Sequence, residues 1–136
     1  MEPRPVVLDS NIIISAFGWP GNPRKIFDQI LLGHYDLCMG KEQLAELARV
    51  VEYPRLKLSA QEKEGIIAIV KAVAKIVEAA VEINLVKEDP EDNMILEAAM
   101  EANAFCIVSG DEHLLTLKVF EGIPILTAKE FLEKYG

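Results

Sequence analysis

Four acidic side chains, Asp9, Glu46, Asp92 and Asp111, stand where a chain of alternating strands and helices could bring them together. Asp9 closes the apolar run Val6-Val7-Leu8, and Asp111 follows Phe105–Val108 by way of Ser109-Gly110. Carboxylates gathered in one crevice repel or hold their protons more tightly unless a cation joins them. Hard oxygen ligands without His or Cys select Mg²⁺ or Mn²⁺ over zinc. The chain has two histidines, His34 and His113, and their neighbours do not resemble a zinc spacing. Each acid also has an ordinary reading. Asp9 and Asp111 could cap helices starting at Ser10 and Glu112, and Asp92 could be a first-turn acid. Glu46 shares a face with Glu42 and Arg49 and could be solvated.

The elements around these residues alternate in type. Pro5–Asp9 reads as a buried strand, and Asn22-Pro23 as the start of a helix carrying Ile26, Ile30 and Leu31. Tyr35–Met39 is a second strand. Residues 41–52 form a helix with Leu44, Leu47, Ala48 and Val51 on its apolar face, broken at Tyr53-Pro54. Ser59-x-x-Glu62 is a capping box that opens a long helix to about residue 81, and a short strand is expected near Val81–Leu85. Asp89-Pro90 opens another helix with Ile95, Leu96 and Ala99 turned inward. Phe105–Val108 is the strongest strand, followed by a short helix, the strand Ile123–Leu126, the capping box Thr127-x-x-Glu130 and a terminal helix. Such alternation predicts one α/β domain over 1–136, a three-layer α/β/α sandwich with a central, mostly parallel sheet. Ligand sites in such sheets lie off the carboxyl ends of the strands, where Asp9 and Asp111 stand.

Composition narrows the function classes. The 136 residues are 51% hydrophobic and 26% charged, which excludes a disordered or fibrous chain. No apolar run approaches the ~20 residues of a membrane helix. The opening Met-Glu-Pro-Arg-Pro lacks the apolar stretch of a signal peptide, so export is not expected. Cys38 and Cys106 sit in apolar runs and read as buried thiols in a reducing cytosol. The net charge of −8 speaks against a nucleic-acid binder that works through a basic surface. Residues 1–61 balance seven bases against seven acids, so the whole deficit lies in 62–136. It is densest over 82–101, where seven acids face Lys87 alone.

Four ordered blocks resemble the signature of PIN-domain ribonucleases: Val6-Val-Leu-Asp9-Ser10-Asn11, Glu46-Leu47, Asp89-Pro-Glu-Asp92-Asn93, and Val108-Ser109-Gly110-Asp111-x-x-Leu114-Leu115. The close, Gly122-Ile-Pro-Ile-Leu-Thr127-x-x-Glu-Phe131, is similar to the branch holding VapC-type toxin components of toxin–antitoxin pairs. The resemblance implies a PIN-like, Rossmann-like fold and a metal-dependent endoribonuclease. It makes Asp9, Glu46, Asp92 and Asp111 both the catalytic and the metal-holding quartet for one or two Mg²⁺ or Mn²⁺ ions, with Asp9 central. Asp92 is preferred to Asp89 because Asn93-Met-Ile-Leu-Glu-Ala-Ala follows it as the family's helix does. Ser10, Asn11 and Ser109 become supporting hydrogen-bonding groups, whereas His113 stands where relatives often carry another polar residue and is given no role. An RNA substrate and an antitoxin partner follow from the same resemblance.

Arg24, Arg49 and Arg55, with Lys41 and Lys57, are candidate phosphate contacts. The loop Phe17–Pro23 carries the chain's one Trp, read as a hydrophobic anchor in a turn or as a contact for RNA or an antitoxin helix. The helix from 59 is apolar over most of its girth, through Ile66, Ile67, Ile69, Val70, Val73, Ile76 and Val77, which fits burial within the monomer or a homodimer face. Two other functions compete. An aspartyl-phosphate phosphatase of the haloacid-dehalogenase kind would need an acid two residues after Asp9, where Asn11 stands. A catalytically inactive PIN-like domain that binds RNA or protein would keep the fold, although all four acids are present.

Overall fold

A computed structural model describes residues 2–86 and 90–136. Asp89, expected to help open a helix, and Lys87 lie outside the described residues. The amino-terminal part runs β1 (Arg4–Leu8), α1 (Ser10–Gly18), α2 (Asn22–Leu31), β2 (Tyr35–Gly40), α3 (Lys41–Val50), α4 (Ala60–Val73) and β3 (Lys75–Val77). The remainder runs α5 (Pro90–Ala102), β4 (Cys106–Val108), α6 (Glu112–Leu115), β5 (Val119–Phe120), β6 (Ile123–Leu126) and α7 (Ala128–Tyr135). The strands form one sheet in the order β3-β2-β1-β4-β6-β5, parallel except for the β5–β6 pair. The chain winds outward from β1 through β2 to β3, then returns to add β4 on the other side of β1. The order of strands reverses between β1 and β4, and crevices open at such points.

Side-chain alternation builds two cores, one on each face of the sheet. Val6 and Leu8 of β1, Leu37 and Met39 of β2, and Cys106 and Val108 of β4 face one core with Ile13, Ile26, Leu47, Val70 and Phe131 from the helices. The intervening Val7, Cys38 and Ile107 face the other core, where Ile95, Leu96 and Ala99 of α5 and Leu114 of α6 cover them. This is the expected three-layer sandwich. Both capping boxes form, at Ser59 with Glu62 and at Thr127 with Glu130. Both cysteines are buried and unbridged. Among the described residues, no helix is long and apolar enough to cross a membrane.

Four local expectations are corrected. The helix opened by Ser59 ends at Val73, not near 81, and Ala74 turns to extended backbone. Lys75–Val77 then pairs in parallel with Cys38–Gly40, because β2 offers an open edge and Ile76-Val77 suits a strand. Lys75 Nζ meets Asp36 Oδ2 at 2.8 Å. Of this stretch's apolar residues, Ile66 and Val70 are buried, whereas Ile69 and Ile76 point outward.

The strand expected near Val81–Leu85 is absent from the described residues, since α5 side chains satisfy the backbone there. Ile83 N–H donates to Glu97 Oε2 at 2.8 Å, and Val86 exchanges two hydrogen bonds with the Asn93 amide at 2.8 and 2.7 Å. Trp19 is 60% exposed and so is not a buried anchor; Phe17 instead meets Phe27 edge-on at 5.0 Å. On α3, Ala48 is exposed, and the fully buried Gln43 takes an inward place, its Nε2 donating to Leu8 O at 2.7 Å.

Candidate functional site

Asp9 leaves the end of β1 and caps α1, its Oδ1 accepting from Ile12 N–H at 3.1 Å. The capping role is real, yet it leaves the carboxylate buried at the crevice between β1 and β4. Ser109, at the end of β4, donates its hydroxyl to Asp9 Oδ2 and accepts from Asp111 N–H at 3.0 Å. One serine therefore ties the two strand-end acids together across adjacent strands. Burial pushes the Asp9 carboxyl above its ordinary value, with the Ser109 hydroxyl and the Ile12 N–H pulling the other way. Desolvation, rather than the like-charge repulsion expected from the sequence, is the leading cause.

Asp111 caps α6 through His113 N–H at 2.8 Å, and its side chain is about one-third exposed, at 30%. Asp92 lies buried in the first turn of α5, where the helix's amide end favours an acid. Glu46 is only 9% exposed, which rules out the solvated-face reading, whereas Glu42 one turn earlier is exposed. Asp9, Ser10, Asn11, Glu46, Asp92 and Asp111 all line one cavity of about 130 Å³ at the carboxyl edge of the sheet. Residues from four separate segments thus converge on one small hollow.

The basic candidates separate. Arg55 lines the cavity. Arg24 does not: its Nε donates to Ala16 O at 3.0 Å and its Nη2 to Phe17 O at 3.4 Å, so it closes the last turn of α1. Arg49 is exposed on α3 and outside the cavity lining.

His113, given no role from the sequence, joins the acids. Its Nδ1 lies 3.5 Å from Asp111 Oδ1 and 4.0 Å from Asp92 Oδ2. Donor atoms of Asp92, Asp111 and His113 all lie within 4.8 Å of one another, a spacing able to hold a metal ion. The signal was present in Asp111-x-His113, but only the turn of α6 aims the ring back at Asp92.

The donor set, two carboxylates and one imidazole, fits a divalent cation. A second observation supports the fit. Ser10 Oγ is buried in the cavity wall and has no hydrogen-bond partner among the described residues. A buried hydroxyl in that position calls for a water or an ion to complete it.

A family model described as PIN domain matches residues 5–113. The crystal structure of PAE2754 from Pyrobaculum aerophilum superposes with a TM-score of 0.62 at 14% identity, over 96% of this chain and 88% of that one. At such identity the likeness is one of fold. Comparison with curated proteins found no match.

Proposed function

The chain belongs to the PIN-domain family, and from that premise we propose that it is a metal-dependent endoribonuclease that hydrolyses RNA phosphodiester bonds. The observation that carries this reading is the convergence of Asp9, Glu46, Asp92 and Asp111 on a single cavity at the carboxyl edge of the sheet. Asp92, Asp111 and His113 would hold Mg²⁺ or Mn²⁺, with Asp9 and Glu46 facing it directly or through water. When bound, one or two such ions lower the pKa of water and neutralise charge on the phosphoryl oxygens.

The chain's own residues do the positioning. Ser109 and Ile12 N–H each occupy one lone pair of the Asp9 carboxylate and fix its plane. The backbone N–H groups of Asn11 and Gly110 also act on this carboxyl, so the loops after β1 and β4 together hold it in place. Ser10 and Asn11 add polar groups to the same wall. Glu46, held on α3 in the same cavity wall, is a further carboxylate able to orient a water.

The same reading makes the protein the toxin component of a cytosolic toxin–antitoxin pair, with an antitoxin and a second copy of the chain as partners. Its support is the carboxyl-terminal Gly122–Phe131 block together with the outward Ile69 and Ile76. Cleavage of single-stranded RNA should vanish in EDTA and return with Mn²⁺ or Mg²⁺, and calorimetry should show saturable Mn²⁺ binding. Cleavage that persists in excess chelator overturns the metal-dependent mechanism, and Mn²⁺ binding no better than that of a generic acidic surface leaves an inactive binding domain. Growth arrest on expression, relieved by a protein encoded beside it, would support the toxin role; harmless expression would remove it.

A further inference from the structure

The acid cavity poses a problem for any phosphodiester that enters it, since carboxylates dominate its wall. Arg55 is the one lysine or arginine among the described residues of that lining, and Tyr53 is the one aromatic. They stand on the short 3-10 turn Pro54–Leu56 that follows α3. The Arg55 guanidinium lies over the Tyr53 ring, 5.3 Å from its centroid. Tyr53 N–H is tied to Val50 O at 3.0 Å, and Leu56 N–H to Tyr53 O at 3.1 Å. Pro54 presets the backbone between them. Tyr53 nevertheless remains 44% exposed, so a large aromatic side chain is held at the cavity mouth with much of its surface in solvent.

We infer that Tyr53 and Arg55 form a platform that receives one unpaired base and its neighbouring phosphate as single-stranded RNA enters the acid site. The inference rests on the nuclease reading above and names the form of its substrate. Arg55 covers one part of the ring, and the exposed remainder stacks a base in a sequence-tolerant way. The guanidinium supplies the positive charge that the cavity wall otherwise lacks, and its fork geometry suits a phosphate. A base inside a duplex has both faces covered by its neighbours, so the platform selects unpaired RNA.

The test uses the full chain and a short single-stranded RNA carrying 2-aminopurine, with Ca²⁺ in place of Mg²⁺, read by anisotropy and by base fluorescence. Tyr53→Leu keeps bulk without a π-face; it should weaken binding about tenfold and abolish the quenching of 2-aminopurine. Tyr53→Phe should retain both. Arg55→Ala should weaken binding and reduce the salt dependence by about one charge. The same sequence as a duplex should bind at least about tenfold more weakly. Melting temperature and Mn²⁺ titration of each variant report that the fold and acid site persist. Wild-type affinity in Tyr53→Leu, or equal affinity for duplex and single strand, overturns the platform while leaving the nuclease reading standing. A wild-type protein that binds Mn²⁺ but no RNA overturns both.

Discussion

The two edges of the sheet are both hollowed, and they are unequal. At the amino edge an open groove of about 720 Å³ is lined by Arg4, His34, Tyr35 and Tyr135 among others, while the acid cavity at the carboxyl edge holds about 130 Å³. Two polar side chains of the larger hollow are spent on the fold. Tyr35 Oη donates to Tyr135 O at 3.2 Å, and Arg4 lies 4.5 Å over the Phe105 ring. Glu2 is the one Asp or Glu among the described residues of this hollow's lining, which also includes Arg4 and His34. Volume therefore does not distinguish the proposed site; convergence of charge does. The difference follows from parallel topology. Each parallel strand delivers its next segment to the carboxyl edge, where α1 and α6 start on Asp9 and Asp111 and α5 opens with Asp92. The amide ends of those helices offset part of the negative charge that would otherwise disperse the acids.

If the edges divide stability from chemistry, variants at each should move one property and spare the other. The largest change belongs to Phe131→Ala, because Phe131 is fully buried and meets Tyr35 and Tyr135 edge-on at 5.1 and 5.6 Å. A loss of about 3–5 kcal/mol in urea denaturation is expected, with Mn²⁺ affinity of the folded protein unchanged. A parallel fall in affinity would show that the edges are coupled.

Next comes Asp9→Asn, which should weaken Mn²⁺ binding and cleavage by at least ~10–100-fold. It also carries a pH signature. Burial raises the Asp9 pKa in the folded state, so between the unfolded and folded values the native protein holds a proton that the unfolded chain has released. That contribution is present below the ordinary carboxylate range and is lost as pH rises through the raised value. In chelator at neutral pH, Asp9→Asn should melt above wild type, and the gap should close in acid. A lower melting temperature at neutral pH would show that the charged form is well solvated.

His113→Ala should reduce Mn²⁺ affinity by about tenfold and Mg²⁺ affinity less, because imidazole suits the softer ion. Unchanged affinity for both ions would make His113 a structural neighbour only. Smaller still is the contrast within α3: Glu46→Gln should lower metal affinity and cleavage several-fold, while Glu42→Gln stays at wild-type values. Identical cleavage by the two would remove Glu46 from the site. The smallest effect is assigned to Tyr35→Phe at the amino edge, which deletes one partly buried hydrogen bond worth about 1 kcal/mol. Any change in its metal affinity would again argue for coupling between the edges.

What the sequence determined by itself is the part governed by neighbours a few residues apart. Alternating Val6, Val7 and Leu8 specify a two-faced strand, and Ser59 with Glu62 or Thr127 with Glu130 specify where helices begin. Asp9, Asp92 and Asp111 near element ends, and Glu46 within α3, were legible as residue types in the sequence, and all four line one cavity. The end of α4 was not legible, because Lys75–Val77 becomes a strand only when the edge of β2 is there to pair with. Nor could local pattern show that Gln43 is buried on Leu8 O, that Arg24 is spent on α1, or that His113 turns toward Asp92. Gln43 depends on α3 packing against the end of β1, Arg24 on α2 folding back on α1, and His113 on α5 and α6 covering the face of Val7, Cys38 and Ile107. Tertiary structure alone decided them, because contacts between separate elements, such as Gln43 to Leu8, exist only after the chain has closed.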